Sequence, residues 1–282
     1  MPESPRGTSA ASAAPRSEFP CPEPITLHAR VATGVLAVTA EPRDTAVVQV
    51  QPRDGSAASR EAAEQTVVEL RGTELHVETP ERGWRLRRSG RILVDVRLPE
   101  DSRLVVRLAS ADARFEGRYG EAAISTASGD VSVDRVAGSL RITSASGDLQ
   151  VGRVEGAVSL GTASGDVLVD HVTGQLAMQT ASGDIAVRRS EGSVQTRTAS
   201  GDVRLDSVGA GGIELTTMSG DVRIGVPTGT SVWLDLATAS GSTRSDLDQG
   251  TPPASGIPDV NLRVRTASGD IDLRRVPAQV AA

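Results

Sequence analysis

Seven aspartates, Asp130, Asp148, Asp166, Asp184, Asp202, Asp221 and Asp270, each follow a glycine, respectively Gly129, Gly147, Gly165, Gly183, Gly201, Gly220 and Gly269, in the run Ser-Gly-Asp. Carboxylates repeated at a fixed interval suggest calcium, which glycine- and aspartate-rich turns hold in β-rolls. Those turns carry a longer Gly-Gly-x-Gly-x-Asp pattern that supplies several oxygens per ion, and Ser-Gly-Asp alone supplies too few. Placed one above another at strand spacing, neighbouring carboxylates would repel by about 0.9 kcal/mol even in water. They belong at a solvated corner, each accepting a turn N–H as a structural turn residue. No metal and no cofactor is assigned to them.

A second set pairs hydroxyls two residues apart, from Thr126 with Ser128 through Ser144 with Ser146, Thr162 with Ser164 and onward to Thr266 with Ser268. On a flat outer strand such a lattice would resemble an ice-binding face. The second member lacks a methyl and an aspartate follows closely, so hydroxyls bonded to backbone at a corner fit better. His28, His76 and His171 are far apart, and no nucleophile motif or phosphate loop precedes a helix. Acidic residues with Arg could serve a β-helix polysaccharide lyase or hydrolase, but such clefts stack sugars on aromatic rings, and aromatic residues make up only 2% of this chain. The balance points to a non-enzymatic protein. The stretch ERGWRLRRSGR gathers Trp84, Arg85, Arg87 and Arg88, which could hold an acidic partner with the indole stacking. The stronger reading is a turn followed by an exposed strand whose charges discourage edge pairing.

The elements that must carry these residues follow from an internal repeat. The serine of each copy falls at 110, 128, 146, 164, 182, 200, 219, 240 and 268, giving five steps of 18 residues and then steps of 19, 21 and 28. Within one copy, Val131, Val133, Val136, Leu140 and Ile142 recur as Leu149, Val151, Val154, Val158 and Leu160. Spacing by two marks strands, and the three-residue step before Gly138 marks a corner. Each copy is strand, corner, strand, corner. The expected fold is all-β, a single-stranded β-solenoid of 18-residue rungs, right-handed by the usual hand of parallel crossovers.

Residues 1–24, rich in Pro, Ser and Ala, are expected to be a disordered tail. Residues 25–108 show short alternating runs and are expected to cap the solenoid, which occupies 109–282. A loop over 246–259, reading DLDQGTPPASGIPD, is expected to protrude before the stack resumes. The net charge of −6, spread along the chain, argues against nucleic acid as a partner. A single cysteine, Cys21, excludes an internal disulfide. No segment has the length of a membrane span or the pattern of a signal peptide, so direct membrane insertion is not expected and the cytoplasm is the expected location.

The recurring TASGDV, the segment ILVDVRLPEDSRLVV and the N-terminal PITLHARVATGVLAVTAEPRDTAVVQVQP together resemble a large bacterial family of unknown function labelled putative adhesins. The resemblance runs from about residue 24 to the C-terminus. It implies a β-strand repeat fold, no established enzymatic activity, and association of relatives with cell-envelope stress systems; it brings no catalytic residues. The reading that follows is a cytoplasmic, non-enzymatic scaffold or protein-binding module with an unidentified protein partner. An exported cell-surface adhesin and a polysaccharide enzyme are the alternatives. Open solenoid ends add the prospect of end-to-end self-association.

Overall fold

The computed structural model describes residues 16–80, 90–247 and 258–278. Alternation of apolar and polar residues decides which side chains enter the core. In the rung made by Leu140–Ser146 and Leu149–Val154, the side chains of Leu140, Ile142, Leu149, Val151 and Val154 are buried, while Arg141, Thr143 and Ala145 face solvent. The next rung lies parallel and in register, Leu140 on Val158 and Leu149 on Val167. Equivalent apolar residues thus stack through one continuous core. Each fully buried Val, Leu or Ile in it contributes about 1.5–3 kcal/mol. The solenoid expected from the repeat is the fold observed.

The N-terminal region joins the same ladder. Its elements are β1 (Arg16–Pro20), β2 (Thr26–Glu41), β3 (Thr45–Pro52), α1 (Ala57–Glu64), β4 (Val67–Arg71), β5 (Glu74–Glu78), β6 (Ile92–Pro99) and β7 (Arg103–Tyr119). Strand β2 pairs in parallel with β7 on one side and with β5 and β6 on the other. Gly34 lies opposite Ala111, in the column that continues to Gly129. The rung ladder therefore begins upstream of the 109 boundary expected from the repeat, because VATGV at 31–35 is a degenerate copy in which Val replaces both Thr and Asp. Buried Tyr119 ties the two rungs together, its hydroxyl donating to the Val38 carbonyl at 2.8 Å. Antiparallel strands close this end: β3 on β6, β1 on β3, and β4 on β5.

The tail expected over 1–24 is corrected for its second part. Strand β1 pairs with β3, and Cys21 is buried, because Ser17, Phe19 and Cys21 alternate inward within a stretch whose composition reads as disordered. Residues 1–15 lie outside the described residues. The helix α1, which the repeat did not call for, is capped by Ser56, whose hydroxyl accepts the Ser59 N–H.

At the C-terminal end the rungs do not stack in chain order. The strand Gly211–Ser219 pairs with Val260–Ser268, and Val260–Ser268 pairs in turn with Val232–Ser240. Residues 260–276 are thus inserted between two rungs that precede them in sequence, and 232–245 is outermost. The expectation that the stack simply resumes after the 246–259 loop is corrected accordingly; residues 248–257 of that loop lie outside the described residues. The physical reason is side-chain chemistry. Ile271 and Leu273, both fully buried, face Thr243 and Ser245 in the outer rung. A rung with hydroxyls at inward positions suits the end, where one side is open to water; a rung with Val260, Leu262, Val264, Ile271 and Leu273 needs neighbours on both sides.

Candidate functional site

The Ser-Gly-Asp corners form the most regular polar array in the molecule, and each residue type has a separate task there. The glycines hold φ values from 115° at Gly147 to 145° at Gly241, a region that side chains make costly. They are also crowded: a Cβ on Gly165 would stand 2.3 Å from the Gly147 carbonyl oxygen. The aspartates bridge rungs. Asp148 N–H donates to Asp130 Oδ1 at 2.9 Å, and the same bond recurs from Asp166 to Asp148, Asp184 to Asp166, Asp202 to Asp184 and Asp221 to Asp202. The chain of bonds begins at Asp112 and follows the stacking order, with Asp270 donating to Asp221 and Ser242 to Asp270. The acceptor belongs to the neighbouring rung, whereas the sequence reading placed it within the turn. Ser242, the one serine at this position, sits in the outermost rung, beyond which the ladder presents no further N–H among the described residues.

The hydroxyl pairs divide between inside and outside. Thr162, Thr180 and Thr198 are buried and donate to the carbonyls of Ser164, Ser182 and Ser200 at 2.9, 3.1 and 3.2 Å. An exposed Thr-x-Ser lattice of the ice-binding kind is therefore not formed, since alternation turns the first hydroxyl inward. Trp84, Arg85, Arg87 and Arg88 lie outside the described residues.

Stacking also brings together residues that sequence distance had separated. His28 and His76 occupy facing positions on β2 and β5, with rings stacked at 4.9 Å. Glu74 lies 3.9 Å from His28 Nε2 and 3.3 Å from His76 Nε2. The signal was the Leu-His step shared by TLHAR and ELHVE, legible only once those two strands are known to be neighbours. Among the described residues, no group of three or more His, Cys, Asp or Glu is arranged to hold a metal ion, and no helix is long and apolar enough to cross a membrane.

The inserted rung is fastened by charged groups. Asp235 accepts from Arg265 at 2.6 and 2.7 Å and from Arg263 at 3.2 Å. Asp259 accepts the Ser231 N–H and hydroxyl, and Arg275 reaches the Pro227 and Thr230 carbonyls. These contacts hold three carboxyls below the usual carboxylate range: Asp235 through Arg265, Asp259 through the Ser231 N–H, and Asp270 through the Ser242 N–H. A carboxylate with a lowered folded pKa stabilises above its unfolded value, near about 4, and that contribution is lost as the pH falls through the folded value. The outermost rung is therefore expected to loosen first on acidification below about pH 4. In a Trp84→Phe background, Trp233 fluorescence should change before the far-ultraviolet circular dichroism of the stack. Coincident changes in the two signals would show that these carboxylates do not govern the end of the stack.

A sequence profile of the family described as Toastrack DUF4097 matches residues 38–274. Among solved structures, a putative adhesin from Bacteroides fragilis NCTC 9343 superposes with a TM-score of 0.51 at 12% identity, covering 94% of this chain and 98% of that one. A putative adhesin from Parabacteroides distasonis ATCC 8503 gives 0.48 at 10% identity, over 92% and 96%. A putative lipid binding protein from the same strain gives 0.42 at 12% identity, over 93% and 96%. At 12% identity the likeness to the first of these is one of fold alone. No curated protein sequence matches the chain.

Proposed function

Because the matching profile spans most of its length, the chain belongs to the Toastrack DUF4097 family, and from that membership we propose that it is a non-enzymatic β-solenoid scaffold that presents an outer face to a protein partner. The observation that carries this reading is the commitment of its repeated polar groups to architecture. The aspartate Oδ1 atoms accept rung-to-rung N–H groups and the buried threonine hydroxyls bond corner carbonyls. Outward side chains remain available for recognition on both strands of each rung, and the contact is placed on the first. A groove of about 400 Å³ there is lined by Gln175, Ser193, Gln195, Glu214, Asn261 and Arg263. Donors and acceptors held at strand spacing on a rigid sheet suit a polar protein surface. The reading extends to the cytoplasm and, as the family resemblance implies, to cell-envelope stress systems, and takes the Ser-Gly-Asp-Val run as the mark of this branch of the family.

The test is affinity purification with cross-linking from the native host, soluble and membrane fractions separately, comparing the tagged protein with a Glu214→Arg variant. One stoichiometric partner in the soluble fraction, lost with the variant, is the expected result. A protein recovered alone from both fractions, or a partner indifferent to the Glu214 reversal, overturns it.

A further inference from the structure

The two ends of the solenoid differ in how their edges are protected. At the N-terminal end, β1 carries Arg16, Glu18 and Pro20, and β4 carries Glu69 and Arg71, charges and a proline of the kind that discourage strand addition. At the other end, Val232–Ser240 reads VWLDLATAS, and its single charge, Asp235, is occupied by Arg263 and Arg265. Among the described residues this strand is paired on one side only. Val260 N–H donates to the Ser231 carbonyl, so the alternation of a parallel ladder directs the N–H and C=O groups of Val232, Leu234, Leu236 and Thr238 away from the stack. Trp233 is 45% and Leu234 36% exposed on the same strand. Among the described residues, the N-terminal edge strands β1 and β4, though also paired on one side only, expose just one large apolar side chain, Val67.

We propose that this edge binds a second copy of the chain, forming a closed tail-to-tail dimer by antiparallel pairing of the two Val232–Ser240 strands about a two-fold axis at Leu236. The outward groups allow self-pairing only at certain centres. A centre at Asp235 would set the two carboxylates opposite each other, which is unfavourable. Leu236 is the midpoint of 232–240 and gives full overlap, placing Asp235 opposite Ala237. It also sets Trp233 opposite Ala239 of the second copy, where a small side chain leaves room for the indole, and Leu234 opposite Thr238. A parallel, head-to-tail contact would have to displace the antiparallel strands at the N-terminal end. The pairing is therefore isologous and stops at two copies. It does not rest on the protein-partner reading and stands or fails separately from it.

The test is sedimentation of the full chain across concentration, with position-specific cross-linking. The expected result is a species of twice the monomer mass, dissociating at least tenfold more readily in Leu234→Pro, which removes an outward N–H. Cys21 is buried and is the only native cysteine. With a bis-maleimide spanning about 8 Å, Ala237→Cys should link to its copy, because diagonal neighbours lie about 7–8 Å apart, whereas Ala239→Cys should not. The cross-link reads the interface even if Leu234→Pro fails to fold. A monomer at every concentration, an open-ended series of masses, or linking at 239 instead of 237 overturns the proposal. Linking of 237 to the loop or tail of the same chain does so too, by showing that the edge is covered from within.

Discussion

Val167→Asp is expected to remove the cooperative unfolding transition of the solenoid at neutral pH. Val167 is 3% exposed and stacks between Leu149 below and Ile185 above. An ionised carboxylate there has no partner and no water, and the substitution also gives up the apolar contacts of two rungs. Such a change costs on the order of 4–5 kcal/mol or more, a large part of the stability of an ordinary domain. Leu168, the next residue, points outward, so Leu168→Asp should cost less than about 1 kcal/mol. Circular dichroism melts of the two variants check the pair. A Val167→Asp melt that superimposes on wild type would remove the inward assignment of the whole column.

Gly183→Ala should be nearly as damaging, for a reason that has nothing to do with burial of apolar surface. Gly183 has φ 126°, and a Cβ would lie 2.2 Å from the Gly165 carbonyl oxygen. The strained backbone alone costs about 1–3 kcal/mol. The clash is with backbone that is itself held in the ladder, so the total expected is about 3–5 kcal/mol. Gly161 supplies the contrast, since a Cβ there meets nothing within 4 Å and the residue has no positive φ. Gly161→Ala should be neutral or stabilise by about 0.4–1 kcal/mol through the unfolded chain. Urea unfolding of both variants measures the difference; equal midpoints would show that the corner tolerates a side chain.

Much of this architecture was legible because one residue in two points inward and the pattern recurs every 18 residues, as from Leu140 to Val158 and from Leu149 to Val167. Less visible was the rung at 26–41. Its corner reads Thr-Gly-Val, and periodicity of the later copies cannot be recognised where Val35 replaces the aspartate. The exchanged order of the last two rungs left a trace in Ser242, Thr243 and Ser245, residues that spoil a rung only if another must sit on top of it. That trace has meaning only when the ladder of aspartate bonds is known to need an acceptor for each following rung. The stacked pair of His28 and His76 had no trace at all in linear spacing, because their proximity depends on which strands lie side by side. The basic cluster at Trp84 to Arg88 falls outside the described residues.

The exchange of rungs has a bearing on how the protein is made. A chain leaving the ribosome can wind its rungs in order as far as Gly211–Pro227, each new coil settling on the last. Residues 232–245 then emerge before the strands that will separate them from that coil. The slot is filled only when 260–276 arrives and is fastened by Arg275 on the carbonyls of Pro227 and Thr230. The top of the stack is thus completed in one late insertion, not by continued winding. A ribosome stalled within 246–259 would leave the outermost rung without the strand on which it rests.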